Sequence, residues 1–251
     1  MPFVCSVVKF HFMPAELQTI LEEGELELEG QFMHGSNYTF LVKLRHAKGE
    51  FKAVYKPSQG EQRLWDFPDN TLAQREVATY LISEALGWGF VPLTVLRDEA
   101  PYGPGSLQRF VPYDPNYHYF NFSDEDKALL RPVVLFDLLI NNADRKGSHI
   151  LFEEDSHAIW LIDHGVCLHQ EDKLRTVIWD FAGEEIPSDL LDDLDRLHVE
   201  LARDLGLPAN LKPYLSPEEI AALNARAERI LSERIFPLPP EDRRAFPYPP
   251  L

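Results

Sequence analysis

The sequence predicts an α+β chain in two lobes, an antiparallel β-sheet first and a mainly helical half after it. Three observations predict this. Segments of strand character, separated by turn residues, follow one another between Glu25 and Val111. A helix apolar nearly all round occupies Pro132 to Asn141. Two amphipathic helices, Ser188 to Leu205 and Ser216 to Arg234, come after it. With 251 residues, 45% hydrophobic and 26% charged, the chain has apolar material for one bilobal unit or two small domains.

Glu16 to Glu23 reads as a short helix stopped by Gly24. Glu25 to Glu29 alternates with period two, as a half-buried strand does. Tyr38 to Leu44 and Phe51 to Lys56 continue the strand pattern, and Pro57 ends it because proline cannot donate to a ladder. Thr71 can cap a helix running to Leu86, with Val77, Leu81 and Ala85 on one stripe and Gly87 as terminator. Phe90 to Arg97 and Ser106 to Val111 complete the sheet around the Pro101 to Gly105 turn. The first lobe is therefore expected over residues 1–111 and the second over 112–236.

Pro132 sits in the first turn of the apolar helix, where its missing N–H is harmless. Ile150 to Phe152 and Ile159 to Ile162 flank Asp155-Ser156 and read as a hairpin. The helix from Ser216 opens with a capping residue, a first-turn proline and two acids at the positive end of the dipole. Residues 237–251 are too rich in proline for helix or strand and read as an extended arm, free to dock on a partner's aromatic groove or on its own second lobe.

Lys and Arg number 24 against 41 Asp and Glu, a net charge of −17 that repels nucleic-acid backbones and anionic membrane surfaces. ATP remains compatible, since a bound cation can make a site locally positive. Cys5 and Cys167 stand far apart in no metal-ligand spacing. The chain shows no leader pattern and no stretch long and uncharged enough to span a bilayer, so the cytoplasm is the expected address.

The chemistry concentrates between the apolar helix and the hairpin, in Asn141 to His149. A hairpin turning about Asp155-Ser156 places His149 opposite Ile162 and beside Asp163. Asp144 on the loop and Asp163 at the strand end then face one region, where two carboxylates repel unless a cation neutralises them. Phosphoryl transfer needs such a pair, one carboxylate for the attacking hydroxyl and one for the metal on the phosphates. Either acid alone reads equally well as a turn residue.

These residues also carry a resemblance. Asn142-Ala143-Asp144-Arg145 followed by Lys146 to Leu151 resembles the catalytic loop N-x-D-R-x-x-x-N-hydrophobic of type II phosphatidylinositol 4-kinases and HipA-type kinases. Leu161 to Gly165 is similar to their metal-binding I-D-N-G segment, Gly35 to Lys43 to the lipid-kinase phosphate loop, and Ala53-Val54-Tyr55-Lys56-Pro57 to the A-V-F-K-P strand. Ser106 to Val111 is similar to the adenine hinge. The order of the segments matches the phosphatidylinositol 3-/4-kinase-like group, here in a bacterial branch, and implies a bilobal protein-kinase-like fold.

The resemblance implies ATP with Mg²⁺ or Mn²⁺. Gly35, Ser36 and Asn37 would face the phosphates, Lys56 paired with Glu76 would hold the α- and β-phosphates, and Phe110 and Val111 would meet the adenine edge. Asp144 would orient or deprotonate the acceptor, Arg145 would stabilise the loop or the developing charge, and Asp163 would ligate the metal. His149 stands where the family has a metal-binding Asn. Three explanations are open: His149 lies behind the metal, Asn141 or Asn142 supplies the missing oxygen, or the site is tuned to Mn²⁺ or weakened. The expected function is phosphoryl transfer to a hydroxyl of a protein or small molecule, with a nucleotide-binding pseudokinase as the alternative. Lipid as substrate is not carried over.

Overall fold

The computed structural model describes residues 14–32, 38–203 and 205–251, so the phosphate-loop expectation on Gly35, Ser36 and Asn37 lies outside the described residues. Helix α1 (Pro14–Glu23) leads into an antiparallel sheet of β1 (Glu25–Gln31), β2 (Phe40–His46), β3 (Gly49–Pro57), β4 (Thr94–Arg97) and β5 (Gly105–Arg109), in the order β1-β2-β3-β5-β4. Alternation sorts β3 cleanly. Ala53 and Tyr55 are buried in the lobe's core with Val42, Leu44 and Leu107, while Lys52, Val54 and Lys56 share the other face.

Strand β1 departs from the half-buried expectation. It is an edge strand with Leu28 36% exposed, held to its neighbour by the ion pairs Glu27–Arg45 (2.6 Å) and Glu29–Lys43 (3.3 Å). Charge along an edge discourages pairing with another chain. The strand expected from Phe90 begins only at Thr94, because the hydroxyl of Ser83 accepts the N–H groups of Phe90 (2.8 Å) and Val91 (3.2 Å) and Pro92 has none to give.

Helix α2 (Leu72–Leu86) crosses between the lobes and ends at Gly87, whose φ of 74° is the left-handed cap that glycine adopts without strain. Its start differs from expectation. Thr71 bonds backward to the carbonyl of Pro68, and the N–H groups of Leu72 and Ala73 are instead accepted by the two carboxylate oxygens of Glu61, at 3.2 and 3.0 Å. The expected stripe holds in part: Val77 is buried and Leu81 packs on the core, but Ala85 is exposed, and Ala78, Ile82 and Leu86 face the core.

The second lobe is built around α4 (Arg131–Ile140), with α3 (Asp124–Ala128) before it. Val133, Leu135, Phe136, Leu139 and Ile140 are fully buried, and a side chain of this size contributes about 1.5–3 kcal/mol on leaving water. The hairpin of β6 (Ile150–Phe152) and β7 (Ile159–Leu161) has the register Ile150↔Leu161, which continues to the 3.1 Å bond from the Ile162 N–H to the His149 carbonyl. The second lobe closes with α5 (Ser188–Leu201), α6 (Leu207–Leu211) and α7 (Pro217–Glu233). The helix expected to reach Leu205 stops at Leu201, and Gly206 at φ 76° turns the chain into α6. Helix α7 begins with the reciprocal Ser216–Glu219 capping box. Among the described residues no helix is long and apolar enough to cross a membrane.

Candidate active site

Three elements converge between the lobes: β3 brings Lys56, α2 brings Glu76, and the loop after β7 brings Asp163. The Lys56 ammonium binds Glu76 Oε1 and, at 2.9 Å, Asp163 Oδ1. Burial works to lower the Lys56 pKa, but the charges of Asp163 and Glu76 outweigh it and hold the pKa above its ordinary value. Lys56 is thus a fixed cation. Glu76 is 2% exposed, and its second oxygen, Oε2, has no hydrogen-bond partner among the described residues. Helix α2 is itself pinned to the second lobe by Arg75, 1% exposed, which donates to the Cys167 carbonyl at 2.8 Å and to Glu219 of α7.

The loop after α4, residues 141–149, is held from beneath by one buried side chain. Arg145, 0% exposed, donates from Nε and Nη2 to the Asp137 carboxylate of α4 at 2.9–3.1 Å. Its Nη1 donates to the carbonyls of His149 (3.1 Å) and Ile162 (3.2 Å), and its Nη2 also meets His164 Nε2 at 2.9 Å. All its N–H groups therefore face protein, leaving none for charge developing on a transferred group. Arg145 ties the loop, both hairpin ends and the Asp163 segment to α4. His164 is fully buried, and burial, reinforced by the Arg145 charge, pushes its pKa well down, so it accepts from Arg145 as a neutral ring.

Asp144 lies on this scaffold with its N–H bonded to the Asn142 side-chain oxygen (2.9 Å) and its carboxylate 3.2 Å from the Lys146 ammonium. Burial pushes its pKa up to about 6; Lys146 pulls against the shift and the Asp163 charge adds to it. Asp163 sits in the left-handed region at φ 63°, a conformation Asp tolerates better than most residues. Although withdrawal from water works against it, the Lys56 charge beside it holds the Asp163 pKa below the usual carboxylate range.

His149 bridges the two acidic segments. Its Nδ1 lies 3.2 Å from the Asp144 carbonyl, which can only accept, so Nδ1 carries the proton. Burial lowers its pKa to about 4, against the pull of Asp163, so the ring is neutral near pH 7. Nε2 therefore presents a lone pair 3.2 Å from Asp163 Oδ2. Two acceptors facing each other, with the far ring nitrogen fixed by a carbonyl, is an arrangement that a cation between them would relieve. Among the described residues no group of three His, Cys, Asp or Glu converges, so a cation here would draw its other ligands from phosphate oxygens and water.

The side-chain oxygens of Asn141 and Asn142 are each engaged by the backbone. The Asn141 oxygen accepts from the Lys173 N–H (2.8 Å), the Asn142 oxygen from Asp144, and both residues are buried. At the hinge, Phe110 gives its N–H to the Lys52 carbonyl (3.2 Å), and Val111, 4% exposed, is the next donor before Pro112. Arg75, Asp137, Lys146 and His164 were not singled out as site residues from the sequence. Asp137 carries a signal in hindsight, an acid in an otherwise apolar helix, which burial tolerates only with a partner.

A five-stranded antiparallel lobe over a helical one, with a lysine, a helix-borne glutamate and two loop aspartates between them, defines an α+β, bilobal protein-kinase-like fold. Solved structures share it. The proinflammatory kinase CtkA of Helicobacter pylori superposes with a TM-score of 0.52 at 14% identity, covering 86% of this chain and 94% of that one. The Golgi casein kinase with Mn/ADP bound gives 0.53 at 15% identity, over 87% and 74%. Hydra Fam20 with sugar gives 0.53 at 13%, over 85% and 87%. No family model matches the chain. The chain belongs to the family of Protein Rv2133c of Mycobacterium tuberculosis (strain ATCC 25618 / H37Rv), with 37% identity over 267 aligned positions, 92% of this chain and 94% of that protein.

Proposed function

We propose that this protein is an ATP-dependent phosphotransferase of the phosphatidylinositol 3-/4-kinase-like group, moving the γ-phosphoryl group to a hydroxyl of a protein or small molecule. The observation that carries this reading is the Lys56 ammonium held at once by Glu76 and Asp163, which joins both lobes at one charged point. In this reading Lys56 and Glu76 anchor the α- and β-phosphates, and the Phe110 carbonyl and Val111 N–H meet the adenine edge; Gly35, Ser36 and Asn37, outside the described residues, are the sequence's further candidates for the phosphates. Asp163 and His149 hold Mg²⁺ or Mn²⁺, and the imidazole favours Mn²⁺. The ion supplies charge neutralisation on the β- and γ-phosphates.

Asp144 accepts the proton of the attacking hydroxyl as its oxygen bonds to the γ-phosphorus, and ADP leaves with the electrons of the broken bond. A carboxyl with a pKa pushed up to about 6 is a better base near neutrality than an ordinary aspartate. Arg145 positions that base. The similarity to the Golgi casein kinase, which is known with Mn/ADP bound, supports nucleotide and metal use.

His149 in place of the usual Asn favours a second reading, a pseudokinase that binds nucleotide and changes state without transfer. One experiment separates the two. ATP turnover is measured with Mg²⁺ and with Mn²⁺ for the wild type and Asp144→Asn, alongside thermal stabilisation by a non-hydrolysable ATP analogue. Phosphotransfer predicts turnover that falls about 10²–10⁴-fold in the variant while analogue binding persists. A folded wild type that binds the analogue and turns over with neither metal rejects transfer and leaves the pseudokinase.

A further inference from the structure

The proline-rich arm is docked on its own second lobe, and where it docks is informative. It leaves α7 by pairing Phe236, 1% exposed, with Gly183 and Glu184 through two main-chain bonds of 2.9 Å. Further on, Arg243 reaches Asp172 (3.0 Å), and the buried Ala245 accepts the Thr176 N–H through its carbonyl (3.1 Å). The Pro250 carbonyl then accepts the N–H of Gly147 at 2.8 Å, three residues past Asp144. Gly147 is pressed between this arm and Phe120, whose ring would lie 2.9 Å from any Cβ added there.

Two walls meet along this path. One is the loop carrying Asp144; the other is the segment following the Asp163 arm, which runs beside Arg145 through bonds of Arg145 N–H to the Arg175 carbonyl (3.0 Å) and Val177 N–H to the Arg145 carbonyl (3.1 Å). In the phosphotransferase reading the nucleotide meets Lys56 of β3, Glu76 of α2 and the segment after β5 at Phe110 and Val111. An acceptor hydroxyl must still reach Asp144, and the arm bonds both walls beside it, at Gly147 three residues along the loop and at Thr176 on the neighbouring segment.

We propose that residues 243–250 occupy the acceptor groove of this enzyme in cis, and that its acceptor is an extended polypeptide segment bearing arginine or lysine. The groove offers N–H donors from Gly147 and Thr176, and an extended chain answers with carbonyls. Proline keeps its carbonyl and loses only its N–H, so a proline-rich segment fits without an unmet donor. Asp172 selects a basic side chain, and the net charge of −17 attracts basic segments generally. This inference rests on the phosphotransferase reading for the word acceptor, while the groove itself can be tested without ATP.

The test uses the full chain with Ala245→Asp, which forces a charge into the arm's buried contact, and with Arg243→Glu. A fluorescent peptide of residues 238–251 is titrated into the wild type and both variants. A tethered occupant competes at millimolar effective concentration, so the peptide is expected to bind the Ala245→Asp variant about a hundredfold more tightly than the wild type, and the Arg243→Glu variant, which breaks a half-exposed ion pair, about fivefold more tightly. The same peptide with Arg243→Glu should bind the variants more weakly. Phosphorylation of a serine-containing basic peptide should rise in the variants more than that of an acidic one. Equal peptide binding by variants and wild type overturns the proposal, as does a rise for acidic and basic acceptors alike. If Ala245→Asp unfolds the chain, Arg243→Glu decides by the same readouts. Peptide binding as expected without ATP turnover leaves the groove standing and removes the phosphotransferase reading instead.

Discussion

Replacing Asp137 by Ala removes the counter-ion of a guanidinium that is 0% exposed and keeps Arg145 in place, uncompensated. Asp137 takes bonds from Arg145 Nε at 3.1 and 2.9 Å, from Nη2 at 2.9 Å and from Asn142 Nδ2 at 2.9 Å. Breaking a buried pair from one side costs about 3–5 kcal/mol. Against a stability of about 5–15 kcal/mol for a domain, that is a large share. For a chain of this size each kcal/mol moves Tm by about 2–4 °C, so Asp137→Ala should unfold about 6–20 °C earlier in a thermal scan. Glu27→Ala is the control: it breaks the half-exposed pair with Arg45 and should stay within about 1 kcal/mol of wild type. The double variant Asp137→Leu with Arg145→Met should recover most of the lost stability, since an apolar pair of similar volume substitutes well for a buried ion pair. Phosphoryl transfer should not recover, because the carbonyls of His149 and Ile162 lose the donor that fixes them together. A Tm loss below about 2 °C for Asp137→Ala would refute the clamp.

Because burial lifts the Asp144 pKa from 3.8 to about 6, kcat/KM should rise about tenfold per pH unit below that value and level off above it. The stability sign runs the other way: the raised folded pKa gives stability present below pH 3.8 and lost as pH passes through about 6, so Asp144→Asn should stabilise the unliganded protein at pH 7 by about 1 kcal/mol after solvent screening. His149→Asn should shift metal preference from Mn²⁺ toward Mg²⁺ by about tenfold, read from Mn²⁺ binding by electron paramagnetic resonance with an ATP analogue; unchanged Mn²⁺ affinity would exclude the imidazole as a ligand. Glu61→Ala should cost about 0.5–2 kcal/mol in chemical denaturation by uncapping α2, and Thr71→Ala much less.

The register of the hairpin is legible in the sequence itself, because a strand's side chains alternate with period two and a turn at Asp155-Ser156 fixes every pairing back to His149 and Ile162. The apolar α4, the Ser216 capping box and the glycine stops at Gly24 and Gly87 were equally local, each set by residues within a turn of one another. The same register brings His149 beside Asp163, and its ring spans from the Asp144 carbonyl to Asp163 Oδ2.

What sequence could not supply was every contact whose partner lies far along the chain. Glu61 displaces Thr71 as the cap of α2, and Ser83 takes the N–H groups that would have extended β4 to Phe90. Arg145 turns inward to Asp137 because two hairpin carbonyls and His164 complete its donors, and Asn141 and Asn142 are consumed by the backbone they cap. The arm's course to Gly147 is of the same kind. Periodicity and turn chemistry are short-range and fix the elements; which buried donor meets which acceptor depends on packing between elements, and only the tertiary structure decides it.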